Sequence, residues 1–107
     1  MKETATNEPS VIEGVLLEER ERNLMMQRQY LSEIAQLPKG SVIKKSRKGK
    51  IYYYLSYRNG GKVVSNYLGN DAEQIKEVRH RIEKRKHLEG LVKRLRHELK
   101  IISKAVK

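Results

Sequence analysis

Read for the spacing of its apolar positions, the chain divides into a helical stretch, a stranded stretch and a second helical stretch. Ile12, Val15, Leu16, Leu24, Met26, Tyr30, Leu31, Ile34 and Leu37 recur at the intervals of one helix face. Ser10-Val11-Ile12-Glu13 opens this stretch as a capping box, in which the serine hydroxyl accepts from the third helical N–H and Glu13 reaches back. Gly14 weakens the first turns and the polar run from Leu17 to Asn23 interrupts the stripe, so the helix expected over 10–37 is firmest over 20–36. Pro38 and Gly40 end it, because proline disfavours the helical conformation of the residue before it and glycine permits a sharp redirection.

The period then shortens to two. Ile51 to Arg58 is rich in aromatic and β-branched residues, Asn59-Gly60-Gly61 supplies turn residues, and Lys62 to Leu68 resumes the strand pattern: a β-hairpin. Ser41 to Lys48 precedes it and ends at a second turn, Lys48-Gly49, which makes a third antiparallel strand. Gly69-Asn70-Asp71 closes the last strand, and Asn70 with Glu73 has capping-box spacing for a second helix that runs to about Val106. Such a helix is roughly 50 Å long at ~1.5 Å per residue, more than a three-stranded sheet covers. Its apolar residues divide accordingly. Ile75, Val78 and Ile82 are placed to cover the sheet, whereas Leu88, Leu91, Val92, Leu95, Leu99, Ile102 and Val106 form a heptad-like seam that needs another helix. That helix is either residues 20–36 of the same chain or a second copy, and Leu91, Leu95, Leu99 and Ile102 are the candidate self-association residues.

The expected fold is therefore α+β, ordered α-β-β-β-α: a tail over 1–9, an acidic helix over 10–37, a three-stranded antiparallel sheet over 38–69 and a long helix over 70–107 with a coiled-coil-like late half. We expect one compact domain. Without Phe, Trp or Cys its core is thin, which favours a helical partner or homodimer. The N-terminus has no apolar leader pattern and no stretch reaches the length of a membrane span, so the expected location is cytoplasmic.

Charge changes the picture more than composition does. The net charge of +11 is distributed as −3 over residues 1–38, +8 over 39–68 and +6 over 69–107, and the middle segment contains no Asp or Glu. A sheet with bases alone beside an acidic arm implies a polyanionic partner. On the central strand Tyr53, Leu55 and Tyr57 share one face and Tyr52, Tyr54, Ser56 and Arg58 the other. The face with Leu55 is expected to meet a helix, and Val64 and Leu68 to lie inward with it. The candidate nucleic-acid contacts are then Lys44, Lys45, Arg47, Lys48, Lys50, Tyr52, Tyr54, Arg58 and Lys62, with Lys84 and Arg85 tracking a backbone beside the sheet.

Catalysis finds no comparable support. The chain lacks a glycine-rich phosphate loop, an HExxH pattern or a nucleophile elbow, and no tyrosine has a supporting histidine cluster. His80 and His87 are about 10 Å apart along a helix, too far to share a metal. The expectation is no enzyme, no cofactor, no catalytic residue and no metal.

LPKGSVIKK, followed by KIYYYLSYRNGGKVVSNYLG and a long basic helix, resembles a widespread prokaryotic family of unknown function common in mobile-element and phage contexts. YYYL-x-YR-x-GGK-x6-G also resembles the segment before the catalytic domain of some transposases. The order of three strands and a helix is similar to the arm-binding domains of phage integrases and to plant AP2 domains. That resemblance implies a sheet entering a DNA major groove, with Arg58, Lys62, Tyr52 and Tyr54 as contacts. Val63, Ser65 and Asn66 depart from it by lacking the basic residues often seen in that strand. The functional expectation is a non-enzymatic nucleic-acid-binding module, DNA before RNA. The alternative, motivated by the phage-like context, is a protein-interaction or inhibitory module that binds a nucleic-acid-handling host complex such as an RNA-guided nuclease.

Overall fold

The computed structural model describes residues 10–106, so the tail expected over 1–9 lies outside the described residues. Five elements follow in order: α1 (Val11–Ile34), β1 (Ser41–Arg47), β2 (Lys50–Asn59), β3 (Lys62–Gly69) and α2 (Ala72–Ala105). The fold is α+β, α-β-β-β-α. Ser10 caps α1 as its sequence predicts: its Oγ accepts from the Glu13 N–H at 3.1 Å and donates to Glu13 Oε1 at 3.2 Å. The polar run 17–23 does not interrupt the helix, which is continuous from Val11 and ends at Ile34, earlier than expected. The cap of α2 is Asp71 rather than Asn70; its carboxylate accepts from the Glu73 N–H at 2.9 Å and the Gln74 N–H at 3.5 Å. A carboxylate at that point also meets the positive end of the helix dipole, which an amide does not exploit.

The sheet is a meander in the order β1-β2-β3. Both hairpins use two-residue turns with positive φ at each position, Lys48 (50°) with Gly49 (79°) and Gly60 (59°) with Gly61 (83°). These turns match the right-handed twist of the strands and fix the register at Arg47↔Lys50 and Asn59↔Lys62. The second register puts Val64 beside Tyr57, and Val64 and Leu68 are half-buried while Val63 and Tyr67 are exposed. A bulge at Tyr53/Tyr54 sets Tyr54 opposite Tyr67 and Tyr53 opposite Gly69. Gly40, which joins the α1 end to β1, has φ +110°, and a side chain there would meet the Ser56 carbonyl oxygen and Tyr57 Cβ.

Layers follow from the two apolar stripes of α2. Ile75 and Ile82 are buried against the inner sheet face, with Tyr53 beside Ile75 and Val42 beside Ile82. Beyond the sheet, α2 runs antiparallel to α1, and Ile34, Leu88 and Val92 form the core with Tyr30, Leu37 and Leu91 around it. The helix lying on the late seam is thus α1 of the same chain. Midway along the pair Asn23 Nδ2 donates to the Leu95 carbonyl at 2.9 Å, and Gln27 Nε2 donates to Asn23 Oδ1 at 2.7 Å. Both amides are buried, and among the described residues no buried side-chain polar atom lacks a partner.

The expected compactness is not found. The radius of gyration is 22.6 Å and the extents are 88 × 29 × 16 Å, against about 13 Å for a compact chain of ~100 residues. The cause is the helical pair itself, which projects past the small sheet.

Candidate functional site

The outer face of the sheet carries a cluster of aromatic rings and cations at the end nearest the Lys48-Gly49 turn. Strand alternation and the first hairpin's register bring Lys45 beside Tyr52 and Ile43 beside Tyr54, while the second hairpin brings Tyr67 to the other flank of Tyr54. The Tyr54 and Tyr67 centroids are 5.4 Å apart at 56°, and those of Tyr52 and Tyr67 are 6.2 Å apart at 50°. These are tilted contacts, so the rings splay rather than lie flat on the sheet. Lys45 Nζ stands 4.6 Å from the Tyr54 ring centroid, within cation–π range. Arg47, Lys48, Lys50, Tyr52, Tyr54 and Tyr67 together line a concavity of about 510 Å³.

This site is electrostatically one-sided. No acid occurs from Lys39 to Leu68, and among the described residues every ion pair lies within a helix: Arg22–Glu19, Arg85–Glu89 and Lys86–Glu83. The sheet cations therefore keep their full charge toward solvent. Two half-buried phenol rings, an exposed one at Tyr67 and a rim of guanidinium and ammonium groups can stack a planar group and hold an anion beside it.

Arg47, Lys48, Lys50, Tyr52 and Tyr54 come together as this site, and Lys45 joins them through Tyr54. Other candidates do not. Lys44 pairs with Tyr53 and so shares the face toward the helices. Arg58 and Lys62 flank the opposite turn, and six residues of strand put Arg58 about 20 Å from Tyr52. Lys84 is exposed on α2, behind the sheet as seen from the tyrosines. Arg85 has a different role altogether. Its Nη1 donates to the carbonyls of Ile34 at 3.0 Å and Leu37 at 2.7 Å, and its Nε pairs with Glu89 at 3.3 Å. Arg81 adds a bond from Nη2 to the Gln36 carbonyl at 2.9 Å. These guanidinium groups bond the carbonyls at the end of α1, of which that of Ile34 also accepts from the Leu37 N–H, and, in Arg85, leave no free fork for a phosphate. Leu91, Leu95, Leu99 and Ile102 are half-buried on the α2 seam.

Tyr67 is the member that the sequence candidates omitted. Its signal was the turn: a two-residue Gly60-Gly61 loop places it across from Tyr54, whereas a three-residue loop turns it inward. Among the described residues no group of His, Asp and Glu side chains is arranged to hold a metal ion, and no helix is long and apolar enough to cross a membrane.

No curated protein and no solved structure matches the chain. A family match covers residues 16–80, from the second turn of α1 through the sheet and into the first turns of α2. It spans the tyrosine face and both turns that set its register, and leaves out the late seam. The chain belongs to the family described as Domain of unknown function (DUF6788).

Proposed function

We propose that this chain is a non-enzymatic nucleic-acid-binding module, DNA before RNA, that works through the outer face of its sheet. The observation that carries this reading is the concavity of three tyrosines rimmed by Arg47, Lys48 and Lys50 in a segment without an acid. Lysine and arginine neutralise phosphates and release condensed counterions, while exposed phenols stack on bases or bond phosphate oxygens. The likeness to integrase and AP2 sheets rests on element order and motif alone, so a groove-reading mode is not built into the proposal. Binding of labelled duplex DNA, single-stranded DNA and RNA, titrated by anisotropy at low and moderate salt, tests it. The expected result is binding that weakens steeply with salt. Indifference to all three polymers at low salt overturns the reading and leaves the protein-partner class, which affinity recovery with and without nuclease treatment then addresses.

The proposal includes a second copy of the chain. Leu91, Leu95, Leu99 and Ile102 stay half-exposed after α1 has packed on α2, and Val15 and Leu17 of α1 and Ile101 of α2 are exposed. Glu18, Glu19 and Glu21 on α1 complement Lys93, Arg94 and Arg96 on α2, so two helical pairs have matching charge for a four-helix bundle. Light scattering that returns the mass of one chain at high concentration rejects it.

A further inference from the structure

The form of the tyrosine site selects among nucleic acids. We infer that the concavity receives an unpaired base, with an adjacent phosphate on Arg47, Lys48 and Lys50, so that the preferred ligand is a single strand rather than a duplex. This inference rests on the nucleic-acid reading above and narrows it.

Three observations converge. Tyr52, Tyr54 and Tyr67 meet at interplanar angles of 50° and 56°, tilted rather than stacked flat on one another, and all three line the cavity. Tyr67 is 60% exposed, so one wall of the cavity is a ring with a free face. A ring can stack only on a base whose own face is free, and in a duplex those faces are covered by the next base pair. Duplex readers instead place arginine, asparagine or glutamine against base edges. The cavity is lined by three tyrosines and three cations with no asparagine or glutamine, and its one arginine, Arg47, stands with Lys48 and Lys50, placed to serve a phosphate.

The rim supplies the second half of a nucleotide. Arg47 and Lys50 are paired across the turn, with Lys48 between them in the left-handed conformation at φ 50°, so three cations from four consecutive positions face one spot. Lys45 over the Tyr54 ring fixes that ring and adds a fourth charge. At about 510 Å³ the space lies within the range of small-ligand pockets and is open to let a chain pass. Deoxyribose and ribose strands share this chemistry, and the test separates them.

The experiment measures anisotropy of the full chain with four labelled probes of about twelve nucleotides: oligothymidylate, oligouridylate, a duplex, and an abasic strand with the same phosphates. Oligothymidylate or oligouridylate is expected to bind at least roughly ten-fold more tightly than the duplex and the abasic strand, the scale of one stacked base. The tighter of the two names the sugar. Tyr67→Ala is expected to remove that advantage while leaving abasic binding unchanged, and Tyr67→Phe to retain it. Tyr67→Leu keeps apolar bulk on the face without a flat ring and is expected to behave as Tyr67→Ala does, which separates stacking from folding. Without tryptophan the intrinsic emission comes from the six tyrosines, so its quenching by oligothymidylate reads stacking directly. Equal affinity for all four probes, untouched by Tyr67→Ala, overturns the single-strand inference and leaves the nucleic-acid reading standing as surface electrostatics. Binding to none of them overturns both.

Discussion

Gly40 shows how closely single positions constrain this small fold. Its φ of +110° excludes ordinary side chains, and a Cβ would run into the Ser56 carbonyl on β2. Gly40→Ala should therefore destabilise the protein by about 2 kcal/mol or more, measured by urea denaturation. The two faces of β2 give a sharper contrast. Tyr54→Ala should weaken nucleic-acid binding with a small stability change, because the ring faces the cavity. Leu55 is only half-buried on the inner face, so Leu55→Ala should cost about 1 to 2 kcal/mol, below the span for full burial, and leave the binding constant of the folded fraction intact. The face of Leu55 was legible because alternation needs no tertiary knowledge. Asn23 and Gln27 were not legible. Asn23 read as the last residue of a polar run and Gln27 carried no signal of its own, and the pair is tied to a carbonyl seventy-two positions from Asn23.

At the scale of elements the hairpins were readable and the helix pair only half so. Lys48-Gly49 and Gly60-Gly61 announce their turns, whereas Arg85, which looks like one more base on a charged face, anchors the end of α1 through two carbonyls. The pairing of helices should respond to both kinds of residue. Leu88→Ala, at a site only 6% exposed, should cost about 2 to 3 kcal/mol in thermal or chemical unfolding. Asn23→Ala removes the donor to Leu95 and strands the buried Gln27 amide, at about 1 to 3 kcal/mol. Asn23→Leu combined with Gln27→Leu, which leaves neither amide stranded, should instead hold or raise the melting temperature while loosening the choice of helix partner, since buried amides in an apolar seam specify register. The check is the distribution of masses in light scattering before and after that change.

For the whole molecule, charge and shape give separate predictions. If about five phosphates are neutralised, the log–log salt slope should be roughly −4 to −5 on duplex and shallower on a single strand, and each lost cation should flatten it by about one. Arg58→Ala with Lys62→Ala tests whether the far turn belongs to the footprint. Because those residues stand about 20 Å from Tyr52, a binding site confined to the tyrosine end should lose little affinity in the pair, and an extended strand should lose more. Circular dichroism should not change.

The placement of the core has a further consequence, in the order in which the backbone exchanges its protons. Ile34, Leu88 and Val92 sit where the sheet end of the helical pair begins, whereas Val11, Ile12 and Val15 at the other end of α1 are exposed. Opening free energy should therefore be greatest near that junction and fall away along both helices. In deuterium exchange the amides around Ile34 and Leu88 should be the last of the helical amides to label, and those of the first turns of α1 among the earliest. The sheet, joined to α2 through Ile75 and Ile82, should exchange as a unit of its own, separate from the fraying far end of the helices.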